Sequence, residues 1–151
     1  MSNDDVELYY LQGTKRTVGY IDKNCVEKNK QDIGEYKVFV PAAYGAGENY
    51  PHQILGVPEY GGNNSVCSQT YLYATFASEF EAKNFITYLK TRFFRLLVSA
   101  IKITQHAQSS VYKFVPIQDF SEEWTDDKLY AKYGITEDEQ EYIDSLIKPL
   151  E

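Results

Sequence analysis

Three residues, Asp22, Glu35 and Lys37, have the types and spacing of a metal-dependent nuclease site. In such a site two carboxylates hold a divalent cation, and a lysine stabilises charge on the phosphate. However, Asp22 lies beside Lys23 in an apparent turn, and no further acidic residue supports the set. Glu-x-Lys triplets are also common by chance, so a solvated strand face is the better interpretation. Nuclease chemistry is kept as the alternative.

A basic stretch of the chain has the chemistry of a DNA contact. The formal net charge of -7 points away from a phosphate-rich partner. That average hides an interval without any acidic residue, which lies between two acidic flanks. The basic residues of this interval are Lys83, Lys90, Arg92, Arg95, Lys102 and Lys113. One segment of the chain could therefore neutralise phosphates.

Polar residues that suit base recognition occur beside this stretch and in the Gly-, Pro- and Asn-rich segment from Ala42 to Asn64. Lysine and arginine suit phosphates, whereas Asn and Gln amides suit the major-groove edge of adenine. The predicted DNA-binding residues are Lys37, Tyr44, Asn49, Gln53, Lys90, Arg92, Arg95, Lys102, Gln105 and His106. Two alternatives stay open: a solvated helix face without function, and a structural domain that binds an acidic protein surface.

The sequence predicts no catalytic or metal-binding set. Gly45-Ala46-Gly47 has Tyr50 where a dinucleotide-binding loop needs its third glycine. His52 and His106 are isolated, without zinc-ligand spacing and without a nucleophile motif. His52 is expected to be a surface or hydrogen-bonded histidine. We expect Cys25 and Cys67 to be reduced, partly buried thiols.

The elements that must position these residues follow from local signals. Val6–Leu11 and Arg16–Ile21 predict a hairpin, Tyr36–Val40 a third strand, and 66–75 a further strand region. Within the 42–64 loop, only Gln53–Val57 could be extended.

Ser78, with Glu81 three residues on, predicts the start of one long amphipathic helix from Glu79 to about Ile103. Val111–Val115 reads as strand. Two short helices should follow, and their signals are a cap at Thr125, a stop at Gly134 and a capping box of Thr136 with Glu139.

Together these signals predict an α+β fold. We expect a small mixed or antiparallel β-sheet with a long loop, one long amphipathic helix and a short two-helix C-terminal tail. The predicted division is a recognition domain over 1–118 and a helical tail over 119–151 packed on it. No apolar run of about 20 residues is present and the start is polar, so we expect a cytoplasmic protein without a membrane partner.

Several blocks of the sequence match a known family in the same order. These blocks are Tyr36–Gly47, Ser65–Leu72, Asn84–Leu97, Phe114–Ser121, Trp124–Asp127 and Ile147–Pro149. They resemble the C-terminal specificity region of type II restriction-modification N6-adenine DNA methyltransferases. The region is also similar to the target-recognition domains of type I specificity subunits. The stretch Tyr88–Arg95 is the most specific, and the resemblance covers nearly the whole chain.

The resemblance implies a module that docks on double-stranded DNA and selects the sequence for an attached methyltransferase domain. Members of the family methylate adenine with S-adenosylmethionine, and some also carry a nuclease. Their catalytic Asn/Asp-Pro-Pro-Tyr/Phe motif is absent here, because no proline is followed by a second proline, and their Gly-rich cofactor loop is missing. We therefore expect a truncated or split polypeptide that is not an enzyme and binds no cofactor itself.

Overall fold

The computed structural model describes residues 4–44, 49–102 and 109–150, which form an α+β fold. The predicted fold class is confirmed. The strands are β1 (Asp5–Gln12), β2 (Lys15–Asp22), β3 (Tyr36–Pro41), β4 (Glu59–Gly61), β5 (Ser65–Cys67) and β6 (Tyr71–Phe76). Within the described residues the α-helices are α1 (Glu79–Lys90), α2 (Arg92–Ser99), α3 (Asp126–Tyr133) and α4 (Glu137–Leu146). None of these helices is long and apolar enough to cross a bilayer.

Two small sheets replace the single sheet that the sequence predicts. The first has the order β2-β1-β5, with β1 antiparallel to β2 and parallel to β5. Gly13, at φ +65°, makes the tight turn of the β1–β2 hairpin, a backbone conformation that glycine adopts without strain. The second sheet has the order β4-β3-β6 and is antiparallel throughout. β3 is its central strand and is buried from Lys37 to Pro41.

The helical region after β6 begins as the sequence predicts but is interrupted. The Ser78 side chain accepts the Glu81 N–H and caps α1. The prediction of one helix to Ile103 is wrong, because Thr91 is extended (φ -66°, ψ 149°) and separates α1 from α2. Thr91 caps α2 by accepting the Phe94 N–H at 3.1 Å. The break takes only one residue, so the apolar spacing across it still resembles a single helix.

The two C-terminal helices form with the predicted caps. Thr125 caps α3, Gly134 ends it in the left-handed region, and Thr136 with Glu139 makes a capping box on α4. The prediction of a strand over Val111–Val115 is wrong, since Ser109–Tyr112 is a 3-10 turn.

One hydrophobic core includes residues from both sides of the predicted boundary after Gln118. Val38 of β3, Tyr88 of α1 and Phe94 of α2 belong to the same buried cluster as Leu129 and Ile143 of the C-terminal helices. The helices after residue 119 therefore share their core with the sheet and the central helices. Segment 146–150 is consequently brought back to the middle of the chain, where it meets the predicted recognition loop.

Candidate nucleic-acid interface

The predicted recognition loop between β3 and β4 is attached to the end of the helical region by Lys102. The ammonium group of Lys102 donates to the carbonyl oxygen of Tyr44 at 2.6 Å and to that of Ile54 at 2.5 Å. These carbonyls lie on either side of the loop residues 49–53. One lysine side chain thus ties together the two sides of the loop.

Arg95 makes a second attachment, from inside the protein. Its side chain is completely buried (0% exposed), and its guanidinium group donates to four main-chain oxygens. Two of these, Lys90 O (2.9 Å) and Thr91 O (3.1 Å), lie at the carboxyl end of α1. The other two are Gln53 O (3.1 Å) and Lys148 O (2.7 Å). The negative end of the helix dipole offsets the buried charge, and the fork joins α1, the loop and segment 146–150.

Arg92 attaches segment 146–150 from the protein surface. Its Nε donates to Ile147 O at 3.0 Å, and its guanidinium lies 3.1 Å from the Asp144 carboxylate. The Arg92 side chain is 26% exposed. It is therefore occupied by this segment but can still be approached by solvent.

Segment 146–150 runs beside the loop and bonds to it directly. The His52 N–H donates to Leu146 O at 2.7 Å, and the Lys148 N–H donates to His52 O at 2.9 Å. A single parallel bridge links His52 and Ile147. Both the N–H and the carbonyl of His52 are thus bonded to segment 146–150.

Three cations of the basic interval are engaged within the protein. Arg95 and Lys102 satisfy main-chain carbonyls, and Lys83 pairs with Glu79 one helical turn away. In this conformation Arg95 is unable to contact a phosphate because it is fully buried. Lys90 is half-buried and Lys113 is exposed. Fewer cations of the basic interval therefore face solvent than the sequence indicates.

Asn49 and Tyr50 supply exposed polar and aromatic groups of the loop. Asn49 is exposed, whereas the Gln53 amide donates to Leu55 O at 2.8 Å and so stabilises the loop itself. Tyr50 is 70% exposed, and its ring stacks on that of His52 with centroids 4.1 Å apart and planes 2° apart. Tyr50 is not among the residues that the sequence predicts to bind DNA. The signal available was an aromatic residue beside a histidine in a loop already selected for its polar residues.

Lys37 lies elsewhere in the fold, in the centre of the second sheet. It is 2% exposed, and its ammonium donates to Glu35 O at 2.7 Å and Ile33 O at 3.1 Å. Burial lowers the pKa of this amine. Lys37 therefore lies apart from the other predicted DNA-binding residues, and its ammonium group bonds main-chain oxygens inside the fold.

Two of the three residues of the nuclease alternative, Asp22 and Lys37, are likewise bonded within local structure, whereas Glu35 is exposed. Asp22 accepts the Asn24 N–H at 2.8 Å and caps a 3-10 turn. Lys37 bonds the carbonyl oxygens of Ile33 and Glu35. Among the described residues, no group of three or more His, Cys, Asp or Glu is placed to hold a metal ion. No observation favours this alternative over the DNA-binding one.

Gln105, His106 and the Gly45–Gly47 triplet lie outside the described residues.

Both cysteines are free thiols, with Cys25 exposed and Cys67 partly buried. Burial raises the pKa of Cys67 to about 11, so this thiol is not activated as a nucleophile.

Comparisons of the chain with protein-family models, with curated proteins and with solved structures found no match.

Proposed function

We propose that this chain is the DNA target-recognition module of a restriction-modification N6-adenine methyltransferase and has no catalytic activity of its own. The observation that carries the proposal is the attachment of the 42–58 loop by Arg95 and Lys102, which bond its carbonyls at three places. A loop held in this way presents its exposed groups at low entropic cost, which is what sequence-specific contacts need.

In this proposal some polar residues contact the DNA, whereas others position the loop. Asn49 is exposed and contacts a base edge, for which its amide suits adenine. Lys90 and Arg92, beside the base of the loop, contact phosphates. Arg95 and Lys102 are positioning residues. The methyltransferase domain of the parent enzyme, with S-adenosylmethionine, performs the chemistry in the cytoplasm on a base flipped out of the duplex.

DNA binding by the chain tests this proposal through its salt dependence. Each phosphate contact contributes about 0.9 to the slope of log affinity against log salt, so two contacts predict a slope of about -1.8. Lys90→Gln should reduce the slope by about 0.9, and Lys28→Gln, which removes an exposed lysine elsewhere, should not change it. The measurement is fluorescence anisotropy with a short duplex at several salt concentrations.

Selection from a pool of duplexes with a randomised centre tests base reading. The wild-type chain should enrich one sequence, and Asn49→Ala should relax the preference at one position by about 1 to 3 kcal/mol. Absence of binding to duplex DNA, or binding that does not depend on salt, contradicts the proposal. If DNA does not bind at all, it should also leave the melting temperature unchanged, as expected of a domain that binds only protein.

A further inference from the structure

The stacked pair of Tyr50 and His52 forms a flat aromatic surface at the edge of the recognition loop. The two rings are almost parallel, and their centroids lie 4.1 Å apart. The imidazole covers one face of the tyrosine ring. Because Tyr50 is 70% exposed, the other face is open to solvent. An exposed aromatic face supported from behind by a second ring is a surface on which another planar group can stack.

This surface is held in place by the main chain beneath it. His52 is bonded through both its N–H and its carbonyl to segment 146–150, at 2.7 and 2.9 Å. The next residue, Gln53, accepts a hydrogen bond from buried Arg95. Three hydrogen bonds therefore fix the backbone of His52 and Gln53 beside the aromatic pair. Little conformational entropy remains to be lost when a ligand stacks on the pair.

Two cationic residues, Lys148 and Arg92, belong to the hydrogen-bond network that holds the pair. Lys148 lies in the segment bonded to His52 and donates its N–H to the His52 carbonyl, and Arg92 donates to the adjacent Ile147 carbonyl. The Asp144 carboxylate is paired with Arg92 at 3.1 Å. A planar aromatic group carried on a phosphate backbone suits both the aromatic surface and these cations. In a duplex the faces of the bases are covered by their neighbours, so only a base that has left the stack can use such a surface.

We propose that Tyr50, supported by His52, is a stacking platform for an unpaired DNA base. This proposal rests on the proposed function, because methylation of adenine in a duplex requires base flipping, which creates unpaired bases. It goes beyond that function in naming the ligand as the face of an unpaired base rather than the edge of a paired one.

The test compares two duplexes that share one strand, which carries a 2-aminopurine. The complementary strand pairs with every base in one duplex and lacks the nucleotide opposite the 2-aminopurine in the other, which leaves a single-base bulge. Wild-type protein should bind the bulged duplex more tightly and quench its 2-aminopurine fluorescence. Tyr50→Ala should weaken binding of the bulged duplex about tenfold and remove the quenching. It should leave binding of the paired duplex unchanged. Tyr50→Phe keeps the ring and should behave as wild type.

Tyr20→Ala is the matched control, since Tyr20 is 54% exposed but lies on β2 in the other sheet. It should bind both duplexes as wild type does. Far-UV circular dichroism and melting temperature show whether each variant is folded.

The outcomes separate this proposal from the proposed function. If Tyr50→Ala binds and quenches the bulged duplex as wild type does, the stacking platform is disproved, while salt-dependent binding of paired DNA still supports the recognition module. The platform is also disproved if wild-type protein shows no preference for the bulge. Binding of the bulged duplex alone, lost in Tyr50→Ala, supports the platform and contradicts recognition of paired DNA. Binding of neither duplex overturns both proposals.

Discussion

Arg95 has a different role in the structure from the phosphate contact that the sequence predicts. In the sequence it is one of six cations in an interval without acids. In the fold it is fully buried and satisfies four main-chain oxygens that belong to α1, the loop and segment 146–150. A planar group with five donors can bond carbonyls in several directions at once, which an ammonium group on a flexible stem does less well.

Replacement of Arg95 by Met should therefore destabilise the protein strongly. Methionine retains much of the side-chain volume but leaves buried carbonyl oxygens without donors, so the free energy of unfolding should fall by about 3 kcal/mol or more. Arg92→Met is the matched control, because Arg92 is partly exposed and makes one carbonyl bond and one surface ion pair. It should cost about 1 kcal/mol. Urea denaturation measures both, and equal losses would contradict the buried role of Arg95.

The separation of α1 from α2 is the feature that matters at the scale of elements. A helix that continued through residue 91 would leave no free N–H groups there. Because α2 begins anew, its first amides need acceptors. Thr91 supplies one, and the Asp126 carboxylate at the start of α3 accepts the N–H groups of Arg92 at 3.1 Å and Phe93 at 2.9 Å. A residue from a distant helix thus completes the cap of α2.

Asp126→Ala should weaken this connection between α2 and α3. Loss of a capping carboxylate costs about 1 to 2 kcal/mol, and two amides lose their acceptor here. The neighbouring Asp127 is exposed and also lies in the first turn of α3, so Asp127→Ala tests the effect of removing an acid from that turn alone. We expect a loss of no more than about 0.5 kcal/mol for Asp127→Ala. Thermal or urea unfolding distinguishes them, and similar losses would show that Asp126 acts only through the dipole of α3.

At the scale of the whole molecule, an interior rich in tyrosine makes stability sensitive to alkaline pH. A mainly apolar cleft of about 390 Å³ lies between the second sheet, α1 and the segment after residue 109. Three tyrosines line it: Tyr73, Tyr88 and Tyr112. Burial raises the pKa of both Tyr88 and Tyr112 to about 12. The Tyr88 hydroxyl donates to Pro116 O at 2.8 Å, whereas that of Tyr112 is buried without a hydrogen-bond partner in the described structure.

Between pH 10 and 12 the unfolded chain should release tyrosine protons that the folded protein retains. The unfolded state then binds fewer protons, so the free energy of unfolding falls as pH rises through this window. Tyr112→Phe removes one such group and should reduce the loss at about pH 11 by about 1 kcal/mol relative to wild type. Urea denaturation at about pH 8 and about pH 11 measures the difference. An unchanged loss in Tyr112→Phe would contradict the burial of this hydroxyl.

At neutral pH the same variant should be as stable as wild type or more stable by about 1 kcal/mol, since phenylalanine leaves no unpaired hydroxyl in the cleft. Tyr88→Phe is the matched comparison. It loses a real hydrogen bond and should be less stable by about 1 kcal/mol.

Much of the local structure could be predicted from the sequence. The β1–β2 hairpin, the caps at Ser78, Thr125 and Thr136, and the stop at Gly134 all form where their residues indicate. Each depends on contacts among residues close together in the chain, so the information lies within one short window. The α+β class follows from the same local patterns.

The roles of the cations and the end of α1 were decided only by the tertiary structure. Arg95 bonds carbonyls that lie 42 and 53 residues away in sequence, and Lys102 bonds carbonyls 58 and 48 residues away. Every residue type has a carbonyl oxygen, so no residue pattern marks which ones a distant arginine will meet. Asp126 likewise reaches the start of α2 across 34 residues. Local sequence determined the elements, whereas the folded chain determined which charged groups hold it together and which residues, such as Asn49 and Tyr50, remain exposed to solvent.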